Sequence, residues 1–449
     1  LWANYGTSTN IVRIQHGYDY AGNRIYRADP IATANSVNLD EYYSYDGLNQ
    51  LKDLQRGQLT TALDGISGTA DKQETWTLDG LGNWSEYVHK TAGTTDLDQA
   101  RTHNLANELT QIDSSTTHVA EDAAGNMTKL PKPGDWTDHY CTVYDAWNRL
   151  VEVRASDNST VIAQYQYDGR NYRTVKKTYA SGTLSETRHF YYNNQWQCLE
   201  ERLESDSVIA SYADRQNVWG IRYVDDLILR DRDTDADGTL DERLYAMQDS
   251  NWNTVATANN SGAVAERYSY TAYGKATFLT SAFASQSTNT SSYNWDTLYT
   301  SRQLDSETSL YQYRNRYYEA ETGRFINRDP IEDDMNLYRY VGNNPALLTD
   351  PSGLAAKPDD KPICPTGCKL VQEPQKHFCF PIMPPEGNKD FNRGYCMAGA
   401  VACNTGNSKE GGRVACQQAC DKCIDIFGCH TSALLTCYAA CDATGKKGT

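Results

Sequence analysis

The chain has 449 residues, a net charge of −16 and a mean hydropathy of −0.70. That length allows two to four domains, the acidic balance argues against nucleic acid as a partner of the body, and no apolar run is long enough to span a membrane. With 32 Tyr and 9 Trp against 8 Phe the chain is too aromatic to be disordered, and Tyr, apolar in body and polar at its tip, suits sheet surfaces with water close on both faces.

The chain opens on Leu1 rather than Met, which reads as part of a longer protein. Before residue 175 one motif recurs. It reads YDYAGNR, YDGLNQL, LDGLGNW, NLANELT, EDAAGNM, YDAWNRL and YDGRNYR, anchored at Asp19, Asp46, Asp79, Asn104, Asp122, Asp145 and Asp168. Asp or Asn bonds its own backbone two residues on, and a following Gly or Asn takes the positive φ that closes a hairpin. Flanking runs such as VIAQYQY, TVKKTY and HFYYNNQW are rich in strand formers. Each repeat is thus a two-stranded unit that must stack on its neighbours to bury a face, and no convincing helix precedes residue 355.

The run DRDTDADGTLDERLY at 231–245 has the spacing of a calcium loop, with Asp233, Asp235, Asp237 and Asp241 as ligands. Leu244 stands where a bidentate Glu is required, and strand-like segments flank the run. An acidic hairpin tip in water is the more ordinary reading.

Two Asp-Pro steps follow, at Asp329-Pro330 and Asp350-Pro351. Asp-Pro-Ser-Gly is good turn chemistry by itself. Two carboxylates held close offer a second role, because one keeps its proton and acts as acid while the other activates water.

The Tyr-Asp motifs resemble YD repeats of the Rhs type. The segment LYQYRNRYYEAETGRFINRDPI, then NLYRYVGNNP, then DPSGL resembles the Rhs-repeat-associated core. The resemblance implies YD repeats spiralling into a hollow β-shell that encloses cargo, as in bacterial polymorphic toxins and the C component of insecticidal toxin complexes. It further implies an aspartyl self-protease of Asp329 and Asp350, assisted by Arg328, that cuts between Leu354 and Ala355. The chain departs from the family at Glu332-Asp333-Asp334-Met335, where extra carboxylates follow the first Asp-Pro-Ile.

The last segment differs from the rest. Residues 355–449 hold 11 of the 13 Cys and none of the Trp, with a net charge of +2 against −18 for the remainder. This is the composition of a small disulfide-stapled domain in an oxidising place, with an odd cysteine left over. RVACQQACDKCIDIF and HTSALLTCYAAC read as two short helices, and an antiparallel hairpin would pair Cys416 with Cys441 and Cys420 with Cys437. Zinc on Cys420, Cys423, Cys429 and His430 is the weaker alternative, because adjacent Cys429 and His430 are awkward partners. A reactive thiol would have to use His377 or His430.

The sequence therefore predicts a mainly β protein with a small, partly α-helical, Cys-rich C-terminal domain. Residues 1–262 form a YD-repeat shell segment, 263–354 the core with its self-protease, and 355–449 a variable effector. The resemblance implies a secreted or cell-surface bacterial protein that needs no cofactor and encloses its own C-terminal domain. An immunity protein or a target-cell component would be its outside partner. An uncleaved surface adhesin with a disulfide-rich binding domain is the alternative.

Overall fold

Every motif anchor folds the same tip. Asp19 Oδ1 accepts the amides of Ala21 (2.9 Å) and Asn23 (2.8 Å), while Oδ2 accepts the Asn23 side chain (3.0 Å). The fourth residue takes a positive φ, +88° at Gly22 and +61° at Asn49, which is why only Gly or Asn recurs there. The same two amides are held at Asp46, Asp79, Asn104, Asp122, Asp145 and Asp168. The computed structural model describes residues 2–5, 9–332 and 334–354, together with the strands Cys368–Glu373 and Lys376–Pro381.

Five more tips follow that the motif search did not find. Asn193, Asp249 and Asn259 cap them in the same way, and at Thr271 and Thr280 a hydroxyl accepts the amide four residues on. In two of these, Trp196 and Trp252 occupy the positive-φ position, at +64° and +62°. Packing holds them there: Trp196 lies edge-on to Tyr172 at 4.0 Å and Trp252 stacks on Tyr223 at 4.8 Å.

Between tips the chain runs as an antiparallel meander. An eight-stranded sheet extends from Gln15–Tyr18 to Leu109–Ile112, and a fifteen-stranded sheet from Ala120–Glu121 to Ala276–Thr280. The α-helix among the described residues is the five-residue Pro30–Ala34, capped by Asp29. Residues 262 and 263 lie in the hairpin between Thr254–Asn259 and Val264–Tyr270, so the core region continues the repeat sheet.

A four-stranded sheet then forms from Gln303–Asp305, Leu310–Tyr313, Arg316–Glu319 and Arg324–Phe325. Here the expectation of tyrosine-rich sheet surfaces with water close on both faces is overturned. Tyr299, Tyr311, Tyr313, Tyr318 and Tyr340 are all buried and form one dry cluster with Phe325 and Tyr273. Burial is tolerated because each hydroxyl finds a partner. Tyr313 bonds Tyr340 (3.0 Å) and Thr300 (2.7 Å), Tyr311 donates to the Gly274 carbonyl (2.9 Å), Tyr318 to that of Tyr273 (2.7 Å), and Tyr299 to that of Ala272 (3.1 Å).

This core is laced to the row of tips by amide side chains. Asn344 donates to Asn23 and to the Asn49 carbonyl, Asn343 to Gln50 and Gly82, and Asn336 to Asn83. Tyr338 then reaches Gly125, and Asn327 reaches Asn148. The row also closes on itself, because Arg24 of the first tip donates to Ser250 (3.0 Å) and to Asn251 of the tip anchored at Asp249.

The chain divides into two compact units, Leu1–Pro358 and Asp359–Thr449. In the second, Cys368–Glu373 pairs antiparallel with Lys376–Pro381. Cys416, Cys420, Cys423, Cys429, His430, Cys437 and Cys441, and with them the expected helices, disulfides and zinc set, lie outside the described residues.

Candidate functional site

The two Asp-Pro steps come together on one arginine. Arg316 begins the third strand of the core sheet, and its Nη2 lies 3.4 Å from Asp329 Oδ2 and 3.9 Å from Asp350 Oδ2. All three side chains are buried. Each aspartate is also a turn residue. Asp329 Oδ1 accepts the Ile331 amide (3.0 Å), and Asp350 Oδ1 accepts the amides of Ser352 (3.0 Å) and Gly353 (2.8 Å) and the Ser352 hydroxyl (3.2 Å). The turn fixes one oxygen of each carboxylate and turns the other towards Arg316.

Two buried carboxylates held this close to one another and to one guanidinium favour a proton on one of them. Asp350 is where that proton fits. Its Oδ2 is buried and accepts no hydrogen bond, and burial pushes its carboxyl above the ordinary range against the pull of Arg316. Burial also lowers the Arg316 guanidinium, to about 10, so it stays charged at neutral pH.

Beside the pair, three consecutive residues grip three consecutive carbonyls. Arg314 Nη1 donates to Pro351 (2.5 Å), the Asn315 amide and side chain donate to Ser352 (3.3 and 3.1 Å), and Arg316 Nε donates to Gly353. Arg314 is steadied in turn by Asp225 (2.6 Å). Gly353 fits because it lies at φ +69° with its Cα against the Tyr313 carbonyl, where an added Cβ would stand 2.2 Å from the oxygen. The segment ending at Leu354 is thereby laid along the hairpin tip, and Ala355 lies outside the described residues.

Arg328 is placed elsewhere. It donates to Glu108 (2.7 Å) and to the Tyr338 hydroxyl (3.2 Å), tying the core to the tip anchored at Asn104. The arginine between the carboxylates is Arg316, to which the sequence reading gave no role. An arginine at a hairpin tip between tyrosine-rich strands was the available signal, because burying such a charge in the sheet's core would require an anion. Of the extra acids, Asp334 is held by Arg339 (2.7 Å) and Glu332 is exposed, while Asp333 lies outside the described residues.

In the acidic loop, oxygen atoms of Asp233, Asp235 and Asp237 gather within 4.8 Å of one another. Asp241 stands apart from that group and bonds the amide and hydroxyl of Thr234. Both oxygens of Asp233 accept loop amides, from Ala236 (2.7 Å) and Gly238 (2.8 Å), which is the bonding of a turn cap.

No family model matches the chain. It is 26% identical over 284 residues to the tRNA nuclease WapA of Bacillus subtilis, covering 62% of this chain and 11% of that protein. It is 24% identical over 381 residues to toxin subunit YenC1 of Yersinia entomophaga, covering 78% of this chain and 36% of that protein. The solved TcdB2-TccC3 complex superposes with a TM-score of 0.59 at 20% identity, over 79% of this chain and 18% of that one. The chain thus spans about a tenth of WapA's length and about a third of YenC1's.

Capped tips in a closed row, an antiparallel meander and a core laced across them define a YD-repeat shell protein. The chain is similar to these toxin proteins in sequence, and its fold matches the shell of the TcdB2-TccC3 complex. Among the described residues no helix is long and apolar enough to cross a membrane.

Proposed function

We propose that this chain is part of a delivered Rhs toxin whose shell encloses residues after Leu354 and whose core cuts them free. The observation that carries the reading is the placement of Asp329 and Asp350 on Arg316 beside a clamped Pro351–Gly353 backbone. In the reaction the Leu354–Ala355 peptide bond breaks. Water gives its hydroxyl to the Leu354 carbonyl carbon and a proton to the leaving Ala355 nitrogen. Asp350, holding the proton, acts as acid on the carbonyl oxygen, and Asp329, nearer the guanidinium, takes the proton from water. No cofactor enters the reaction.

The change of composition at residue 355 and the separation of Asp359–Thr449 as its own unit support a detachable effector. The relatives' names, a nuclease and a toxin subunit, support a toxin role; on this reading the protein acts at a cell surface or beyond, with an immunity protein or target-cell component as its outside partner. Intact mass of the expressed full chain tests the reading. Wild type is expected to yield a fragment ending at Leu354, and Asp329→Asn and Asp350→Asn to stay whole. A folded wild type that stays whole would sink the release mechanism and leave an uncleaved surface protein as the better account.

A further inference from the structure

Arg316 is 3% exposed, and each part of its guanidinium meets a different element. Nη1 donates to the Leu337 carbonyl (2.9 Å), which also accepts the Asp329 amide (2.9 Å). Nε donates to the Gly353 carbonyl, one residue before Leu354. Nη2 faces both carboxylates, and the plane lies 3.6 Å over the Phe325 ring. One rigid fork therefore ties together the segment that carries Asp329, the segment that carries Asp350 and the backbone leading into the bond to be cut.

We propose that Arg316 registers the Leu354–Ala355 bond against the aspartate pair, binding the substrate backbone and both carboxylates at once, and that the Arg314–Arg316 clamp keeps the cut end in the site. The proposal rests on the self-cleavage reading above and assigns it a residue and a product state. All three clamped carbonyls lie on the amino side of the cut, so hydrolysis loosens none of them. The new Leu354 carboxylate stays beside the pair, and each chain cuts once.

Charge and shape contribute separately. Asp350 is faced by Arg316 from the hairpin, Tyr340 from the 336–344 segment and Ser352 from the substrate segment, and Asp329 shares Arg316. Removing the guanidinium charge leaves two carboxylates to share a proton more tightly. Lysine keeps the charge but cannot direct donors to Leu337, Gly353 and the pair together.

The test follows intact mass against time for the full chain over a pH series, with wild type, Arg316→Lys and Arg316→Gln compared and sheet content checked by circular dichroism. Arg316→Lys should cut about tenfold more slowly with the midpoint of the pH profile unmoved, a cost of lost registry alone. Arg316→Gln should cut about a hundredfold more slowly, with the midpoint moved to higher pH. A merely structural arginine would slow both variants and move neither midpoint.

Folded variants that match wild type in rate and midpoint overturn this proposal while leaving self-cleavage standing. A wild type that never cuts overturns both. Should the Arg316 variants fail to fold, Asn315→Ala decides. It removes the side-chain bond to Ser352, so a rate about fivefold lower supports the clamp and an unchanged rate overturns it. A peptide spanning 346–360, added to cleaved protein, should stay uncut, and its turnover would refute retention of the product.

Discussion

Asp350 does two jobs with its two oxygens. One caps the turn that presents Ser352 and Gly353, and the other faces Arg316 without a hydrogen bond. Burial holds its carboxyl above the ordinary carboxylate range, so the folded chain keeps this proton where the unfolded chain has lost it. The stability this group contributes is therefore complete below the pH at which the unfolded chain's carboxyl titrates and is lost as pH rises through the folded one. Cleavage needs the same proton and should slow in the same direction. Cleavage rates across a pH series check this, and a rate that climbs steadily with pH would contradict the assignment of Asp350 as acid. Gly353 offers a second handle. Gly353→Ala would place a methyl against the Tyr313 carbonyl at a positive φ, at a local cost of about 1–3 kcal/mol. The expected outcome is loss of the Leu354 fragment on intact mass with the sheet spectrum unchanged.

At the scale of the hairpin, the anchor side chain replaces contacts that a bare turn would leave to water. Asp79 holds the amides of Leu81 (2.8 Å) and Asn83 (2.9 Å) and the Asn83 side chain (2.9 Å). Asp79→Ala should cost about 1–2 kcal/mol, read as a lower urea midpoint. Tip anchors before residue 175 were legible as Asp or Asn followed by Gly or Asn; Asn259 with Gly262 at φ +75° fits that pattern and was still missed. The tips at Asn193 and Asp249 were missed because Trp196 and Trp252 stand where the motif puts Gly or Asn, held there by aromatic neighbours distant in sequence. Those at Thr271 and Thr280 were missed because a hydroxyl gives one of the bonds a carboxylate gives. The acidic loop follows the same logic: its spacing matched a cation loop, while its amides are satisfied by Asp233 within the turn.

At the scale of the molecule, the core binds repeats that lie far apart in sequence. Asn343 is 1% exposed and bridges Gln50 (3.0 Å) and the Gly82 carbonyl (2.7 Å), two neighbouring tips some hundreds of residues upstream. Asn343→Ala should cost about 2–3 kcal/mol, because it leaves buried acceptors unpaired. Hydrogen exchange should then rise at both tips, 46–50 and 79–83, and a change confined to residues near 343 would refute the lacing. The YD anchors, the strands between them, the two aspartates and the change of composition at 355 were set by sequence, because turn bonding and strand patterning act between residues close in the chain. Only the tertiary structure decided that Arg316 and not Arg328 lies between the carboxylates, that tyrosines can form a dry core, and that Arg314–Arg316 grips the segment leading to Leu354. Those outcomes depend on which distant carbonyl or charge a buried donor meets, and local spacing carries no record of that.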